Sequence, residues 1–277
     1  MRECPLKHWV VSAAQAKHLI ERGATVLDTR NPVIWFWGHL PGSVRVTWQE
    51  FSQQKAPNQG KLLENRGVLE EKLRALGVSD RKPVIVVGYS HHRCSFGEEG
   101  RIVWMLRTLG HNSAAFVDGG GAALVEAGVP TVSGLTEPRP GDFTIQRTNS
   151  WEIQREELKA RLEAEEVAII DTRKPREYAG ATPYGEQRGG HLPGALHFYF
   201  KDLLDEKGYL LPHDQIIAQL KHRGIERDTP VVAYCTGGIR SAFFTTILAE
   251  LGFNNVKNYS GSMWEWSAAP ERIYPLE

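Results

Sequence analysis

The chain repeats itself. VLDTR at 26–30 resembles IIDTR at 169–173, and GHLPGSV at 38–44 resembles GHLPGAL at 190–196. LGVSDRKPVIVVGY at 76–89 resembles RGIERDTPVVAYCT at 223–236, with glycine six positions before proline both times (Gly77 to Pro83, Gly224 to Pro230). Three matched segments in one order mark an internal duplication. The 277 residues, at ~150 per domain, also give two domains.

Each copy has one grammar. A short β-branched run ends in Asp-Thr-Arg, a His-Leu-Pro-Gly turn follows, and a second short run comes next. An amphipathic helix then covers VLEEKLRALG in the first copy and DQIIAQLKHRG in the second, with Gly77 and Gly224 placed as C-terminal caps. The wholly apolar runs PVIVV and PVVAY read as strands buried on both faces of a parallel sheet. A loop and another helix close the pattern at Leu109-Gly110 and Leu251-Gly252. This alternation predicts α/β architecture: two tandem domains, each a mainly parallel sheet flanked by helices. The domains are expected at 1–134 and 148–277, with 135–147 as the linker in a stretch rich in Pro, Gly and Thr.

Composition excludes several classes. Lys+Arg is 33 and Asp+Glu is 33, so no nucleic-acid or anionic-membrane partner is expected and any functional charge must be local. No run approaches the ~18 apolar residues of a membrane span. The N-terminus lacks the unbroken apolar core of a signal peptide, so a cytoplasmic protein is expected. Cys4, Cys94 and Cys235 are widely spaced and odd in number, which is no disulfide framework. No C-x-x-C pair occurs, so a structural zinc site is not expected, and nothing in the sequence calls for another metal or a cofactor. His91, His92 and Cys94 crowd too closely to surround one ion.

The most informative stretch is VVAYCTGGIRSAFF at 231–244. In open α/β sheets, sites lie at the carboxyl ends of strands, and Cys235 stands at such an end. Thr236, Gly237, Gly238, Ile239 and Arg240 follow, and a helix is expected to begin near Ser241. Two glycines let backbone N–H groups turn inward as an anion nest. The helix dipole and Arg240 add positive character, and each favours thiolate over thiol. An arginine beside the positive end of a helix dipole is itself unfavourable unless an anion is present. The first copy supplies a control. Gly88 occupies the cysteine's position, the loop is about five residues longer, and Glu98-Glu99 stands where the second copy has Arg240-Ser241.

Taken together, the paired Asp-Thr-Arg and Gly-His-Leu-Pro-Gly motifs, the cysteine loop, Val117-Asp118-Gly119-Gly120 and Tyr259-Ser260-Gly261-Ser262 resemble the tandem-domain rhodanese-type sulfurtransferases over nearly the whole chain. The resemblance implies that Cys235 is the nucleophile, accepting a sulfane sulfur as a persulfide and passing it on. It implies a cradle of Thr236, Gly237, Gly238, Ile239 and Arg240, and an inactive first domain. It implies that Arg173 faces the anionic donor. Glu177 falls about where such enzymes often carry a second anion-binding arginine, and Arg176 is expected to substitute for it. The implied partners are a small anionic sulfur donor and a thiol, cyanide or thiol-protein acceptor, in a monomer. Thiosulfate is favoured over 3-mercaptopyruvate, because Arg240 and Arg176 supply positive charge for a dianion.

Blander roles are expected elsewhere. Asp28 and Asp171 brace strand ends through nearby N–H groups. His39 and His191 act as hydrogen-bonding struts. Trp35, Trp37, Trp264 and Trp266 pack as covers. Two rival functions stand beside the transferase. A phosphatase of the Cys-x5-Arg kind is disfavoured, because Cys235 to Arg240 is Cys-x4-Arg and makes a smaller bowl. A persulfide carrier or regulatory module fed by a partner protein is the alternative.

Overall fold

The protein is described by a computed structural model, which covers residues 6–89 and 95–277. Cys4, His91, His92 and Cys94 lie outside the described residues. The chain divides into two compact units. Unit 1 comprises Met1–Phe51, Leu63–Arg147 and Leu204–Leu210, and unit 2 comprises Ser52–Leu62, Thr148–Leu203 and Leu211–Glu277.

In unit 1 the elements run β1 (Val10–Val11), α1 (Ala13–Glu21), β2 (Thr25–Asp28), α2 (Pro32–Trp37), β3 (Val44–Arg45), α3 (Arg66–Ala75), β4 (Val84–Val87), α4 (Glu98–Thr108), β5 (Ala114–Val117) and α5 (Gly120–Glu126). The strands form one parallel sheet in the order β1-β5-β4-β2-β3. Its apolar run Val84–Val87 is buried at every position, as a strand covered on both faces must be.

In unit 2 the order is α6 (Arg155–Glu163), β6 (Ala168–Asp171), α7 (Pro175–Tyr178), β7 (Leu196–His197), α8 (His213–His222), β8 (Val231–Tyr234), α9 (Ile239–Glu250), β9 (Val256–Asn258) and α10 (Ser262–Ala268). The parallel sheet β7-β6-β8-β9 repeats β3-β2-β4-β5. In place of a first strand, Glu152 makes a single parallel bridge to Asn258. The duplication extends to register. Asp28 pairs with Val87 and Asp171 with Tyr234, so Gly88 and Cys235 occupy equivalent positions one residue past the strand.

Helix ends follow the sequence. Gly77 and Gly224 sit just beyond α3 and α8 with φ of +81° and +76°, the left-handed conformation that closes a helix at no steric cost to glycine. The 135–147 segment is laid along unit 1: Gly141 N–H donates to Arg74 O, Gln146 N–H donates to Leu109 O, and Phe143 and Ile145 are buried. Trp35 and Trp266 are buried as expected, but Trp37 is 74% exposed and packs only edge-to-face on Phe36 among the described residues. A six-residue helix presents only part of its circumference to the sheet, and Trp37 lies at its solvent end.

The repeated motifs form the same clasp twice. Asp171 accepts the Arg173 N–H at 2.9 Å and pairs with its guanidinium at 2.6 Å, while Arg173 Nη2 donates to Gly190 O at 2.7 Å. In unit 1, Asp28 accepts Arg30 N–H at 3.0 Å and its guanidinium at 2.7 Å, and Arg30 Nη2 donates to Gly38 O at 3.0 Å. The Asp-Thr-Arg corner is thereby stitched to the Gly-His-Leu-Pro-Gly turn. The histidines complete it. The Nδ1–H of His39 donates to Trp35 O at 2.8 Å, and that of His191 donates to Tyr178 O at 3.1 Å. Each ring stacks on the residue whose carbonyl it holds, at 4.1 and 3.8 Å.

Candidate active site

Strand β8 delivers Cys235 to the end of the unit 2 sheet, and the chain turns at once into α9. The helix begins at Ile239, two residues earlier than expected, because Gly238 at φ +81° is its N-cap. The two glycines are required for different reasons. A Cβ on Gly237 would lie 2.1 Å from the Trp264 ring, and one on Gly238 would lie 2.6 Å from Ser260 Cα besides straining the positive φ.

The sulfur is buried, with 1% of the residue exposed. It accepts the Gly238 N–H at 3.1 Å and faces the Ser241 hydroxyl at 3.6 Å. Burial pushes the thiol up, but the Arg240 guanidinium and the donors of Ser241 and Gly237 outweigh it and hold Cys235 below the usual thiol range. The loop thus favours negative charge on the Cys235 sulfur.

The residues behind the loop hold its shape. Cys235 N–H donates to Ser262 Oγ at 3.0 Å, and that hydroxyl donates to Tyr259 O at 2.7 Å. Ser262 takes φ +50° to reach this position. The first N–H groups of α10 bond back to the loop, Met263 to Cys235 O and Trp264 to Thr236 O. Asn258 donates to Gly238 O at 3.1 Å and accepts from Ser241 Oγ at 2.6 Å. Ser262, Asn258 and Ser241 were not singled out by sequence. The Tyr-Ser-Gly-Ser match after the last strand was the only signal for Ser262.

The arginines are placed otherwise than expected. Arg240 does reach the loop, but its guanidinium is held by Glu177 at 2.9 and 2.8 Å and donates to Thr236 Oγ1 at 2.7 Å. The anion that makes an arginine tolerable at this helix start is therefore a carboxylate of the chain itself. Burial pushes Glu177 up, but the hydrogen bonds and charge of Arg240 more than offset this and hold it below its ordinary range. The same pair raises Arg240, despite the opposing effect of burial. Thr236 Oγ1 also lies 3.3 Å from Glu177 and 3.1 Å from a second buried carboxylate, Glu186. Glu186 in turn accepts the Tyr184 N–H at 3.0 Å.

Two assignments require correction. Arg173 is committed to the clasp rather than free: it is fully buried, with Nε and Nη2 tied to Asp171 and Gly190, while its buried Nη1 has no hydrogen-bond partner among the described residues. Arg176 does not take the inward-facing position. It is exposed, while Glu177, one residue on and about 100° round the helix, points inward to Arg240.

The first copy is corrected by one residue as well. Gly97 caps α4 with φ +80°, as Gly238 caps α9, so Glu99 stands opposite Arg240 and Glu98 opposite Ile239. Gly88 and Gly97 are nine residues apart where Cys235 and Gly238 are three, an insertion of six. A Cβ on Gly88 would lie 2.5 Å from Glu99 Oε2. The equivalent volume is thus filled by a carboxylate.

Comparison with known proteins agrees with this geometry. The rhodanese-like domain model matches residues 12–127 and again 154–269. The thiosulfate sulfurtransferase of Azotobacter vinelandii is 30% identical over 89% of both chains. The 3-mercaptopyruvate sulfurtransferase of Mus musculus is 26% identical over 85% of this chain and 80% of its own. The crystal structure of SseA from Escherichia coli, described as a 3-mercaptopyruvate sulfotransferase, superposes with a TM-score of 0.79 at 25% identity, covering 92% of this chain and 98% of its own. With two rhodanese-like domains and relatives of this kind along most of its length, the chain belongs to the rhodanese-type sulfurtransferase family.

Proposed function

We propose that this chain moves a sulfane sulfur from a small donor to a thiophilic acceptor through a persulfide on Cys235. The observation that carries the reading is the buried Cys235 sulfur bonded by Gly238 N–H at 3.1 Å at the start of α9, with its thiolate favoured. A thiol lowered in this way is a better-populated nucleophile, since the thiolate is the reactive form. It attacks the outer sulfur of the donor, an S–S bond to Cys235 forms, and the donor fragment leaves with the electron pair of the broken bond. The persulfide anion then occupies the loop, where inward N–H groups and the helix dipole stabilise it. Cyanide or a thiolate attacks the terminal sulfur and returns Cys235 as thiolate. Thr236, Gly237, Gly238, Ile239 and Arg240 form the cradle in this scheme. The names of the relatives support thiosulfate and 3-mercaptopyruvate as the donor types. No described helix is long and apolar enough to cross a membrane.

The test is intact mass after incubation with each donor, followed by peptide mapping. A gain of about 32 Da on Cys235, removed by cyanide and absent from Cys235→Ser, is expected. Full turnover by Cys235→Ser would sink the mechanism. An adduct formed only when a persulfidated partner protein is supplied would favour the carrier reading.

A further inference from the structure

The charge balance around Cys235 is not that of a site built for a dianion. Both terminal nitrogens of Arg240 are taken, Nη1 by Glu177 and Nη2 by Glu177 and Thr236. Arg240 is 3% exposed and Glu177 is fully buried, so this pair is weakly screened by solvent. Glu186 is also buried, and its partners, Thr236 and the Tyr184 backbone, are uncharged. The charge of Arg240 is thus matched by Glu177, and Glu186 adds a second carboxylate beside the loop. The N-terminus of α9 returns only about half a positive charge. Lys61, which lies in the same unit, is occupied by Glu265 at 2.8 Å, and Arg173 is paired with Asp171 through Nε and Nη2, leaving its buried Nη1 without a partner among the described residues.

Resting on the reading of Cys235 as sulfur carrier, we propose that Glu177 and Glu186 set the donor class: they discriminate against doubly charged oxyanion donors and direct the loop to sulfane donors bearing at most one negative charge. Specificity of this kind comes from a repulsive element as much as from an attractive one. In a water-poor site each additional like charge costs more than it does in bulk solvent. Glu177 acts through Arg240 by withdrawing its charge, and is a positioning residue in this sense. Glu186 acts directly, as a buried carboxylate 3.1 Å from Thr236 Oγ1.

Thiosulfate and methanethiosulfonate isolate the effect, since a methyl group replaces one charged oxygen at nearly constant shape. The step is the same for both. The Cys235 thiolate bonds to the outer sulfur, the donor S–S bond breaks, and its electron pair leaves on sulfite (two negative charges) or methanesulfinate (one). The enzyme holds a persulfide monoanion either way, and no proton, oxidant or reductant is consumed.

The experiment measures kcat/KM for both donors, with cyanide as acceptor, in the wild type, Glu186→Gln and Glu177→Gln, each checked for native circular dichroism. The ratio of kcat/KM for thiosulfate to that for methanethiosulfonate is expected to rise about tenfold in Glu186→Gln, through a lower KM for thiosulfate. Tenfold corresponds to about 1.4 kcal/mol. Glu177→Gln is expected to move the ratio in the same direction and to shift the pH profile of Cys235 alkylation to lower pH, because Arg240 then acts on the sulfur uncompensated. Simple loosening of the loop would shift that profile upward. If Glu177→Gln fails to fold, Glu186→Gln decides the matter alone. A ratio unchanged within twofold, with the 32 Da adduct still forming on Cys235, overturns the donor-class inference and leaves the sulfurtransferase reading standing. Absence of that adduct from every protein with both donors removes both.

Discussion

Replacing Arg240 by methionine tests whether the buried ion pair organises the loop. The substitution keeps much of the aliphatic volume but strands Glu177, which is fully buried and whose remaining partners are Thr236 Oγ1 at 3.3 Å and the Lys174 N–H at 3.3 Å. Removing one member of a buried pair typically costs about 3–5 kcal/mol, because the other charge is left uncompensated. In a unit of this size that amounts to a fall in melting temperature of roughly 10–20 °C. Glu177→Leu strands Arg240 and is expected to cost a similar amount. The double variant Arg240→Met/Glu177→Leu removes both charges and is expected to cost no more than either single variant, giving a coupling of at least about 3–5 kcal/mol in the cycle. Urea unfolding followed by circular dichroism reads all four proteins. In parallel, iodoacetamide alkylation of Arg240→Met is expected to follow a profile moved to higher pH, since the thiolate has lost its cationic neighbour. If each single variant lost less than about 1 kcal/mol, or if the double variant lost the sum of the two, the pair would not be the buried, mutually dependent device described here.

Other outcomes follow from the same geometry. Ser262→Ala removes the acceptor of the buried Cys235 N–H and is expected to lower stability by about 1–3 kcal/mol, read as a lower urea midpoint; an unchanged midpoint would show that the bond is dispensable. Because the native pKa of Cys235 is depressed, its contribution to stability is fully present above the unfolded value of ~8.5 and is lost as pH falls through the lowered native value. Wild type minus Cys235→Ser stability should therefore rise with pH across that window, and a falling difference would mean that the sulfur is held as thiol. Gly88→Cys in a Cys235→Ser background is expected to gain no 32 Da adduct from thiosulfate, because Glu99 fills the space and repels a thiolate.

Most of the architecture could be read from the sequence because it is written twice. Strand type followed from unbroken apolar runs, and the ends of α3 and α8 followed from Gly77 and Gly224, whose positive φ values no other residue adopts cheaply. The role of Asp28 and Asp171 was legible for a related reason. A carboxylate two residues before an arginine at a strand end reaches that residue's N–H, and both copies use it. The Arg240–Glu177 pair was half legible. Arg240 at a helix start requires an anion, but sequence does not say whether the anion is a ligand or a side chain 63 positions away. Arg176 and Glu177 are adjacent in sequence, and only the phase of the short α7 decides which faces the loop. Two further features had no local signal. The assignment of Ser52–Leu62 to unit 2, where a Cβ on Gly60 would lie 2.3 Å from Gly237 O, depends on tertiary packing. The one-residue offset that sets Glu99 opposite Arg240 depends on where the longer loop ends, and the cap glycine fixes this only once its φ is known.

The comparison of the two loops shows why the copies differ in more than one atom. Both place a left-handed glycine before a helix whose N-terminus points at the end of the central strand. In unit 2 that field meets a cysteine and an arginine whose charge is trimmed by Glu177. In unit 1 it meets Glu99, whose carboxylate lies where a side chain on residue 88 would begin. A helix N-terminus favours an anion, so each loop places an anion-forming side chain at its dipole, the Cys235 sulfur in one and the Glu99 carboxylate in the other. Once the carboxylate is in place, a nucleophile has neither room nor favourable potential. Restoring the cysteine alone cannot restore the chemistry. The charge at the second position of the helix must change with it, and unit 2 differs from unit 1 at both places together.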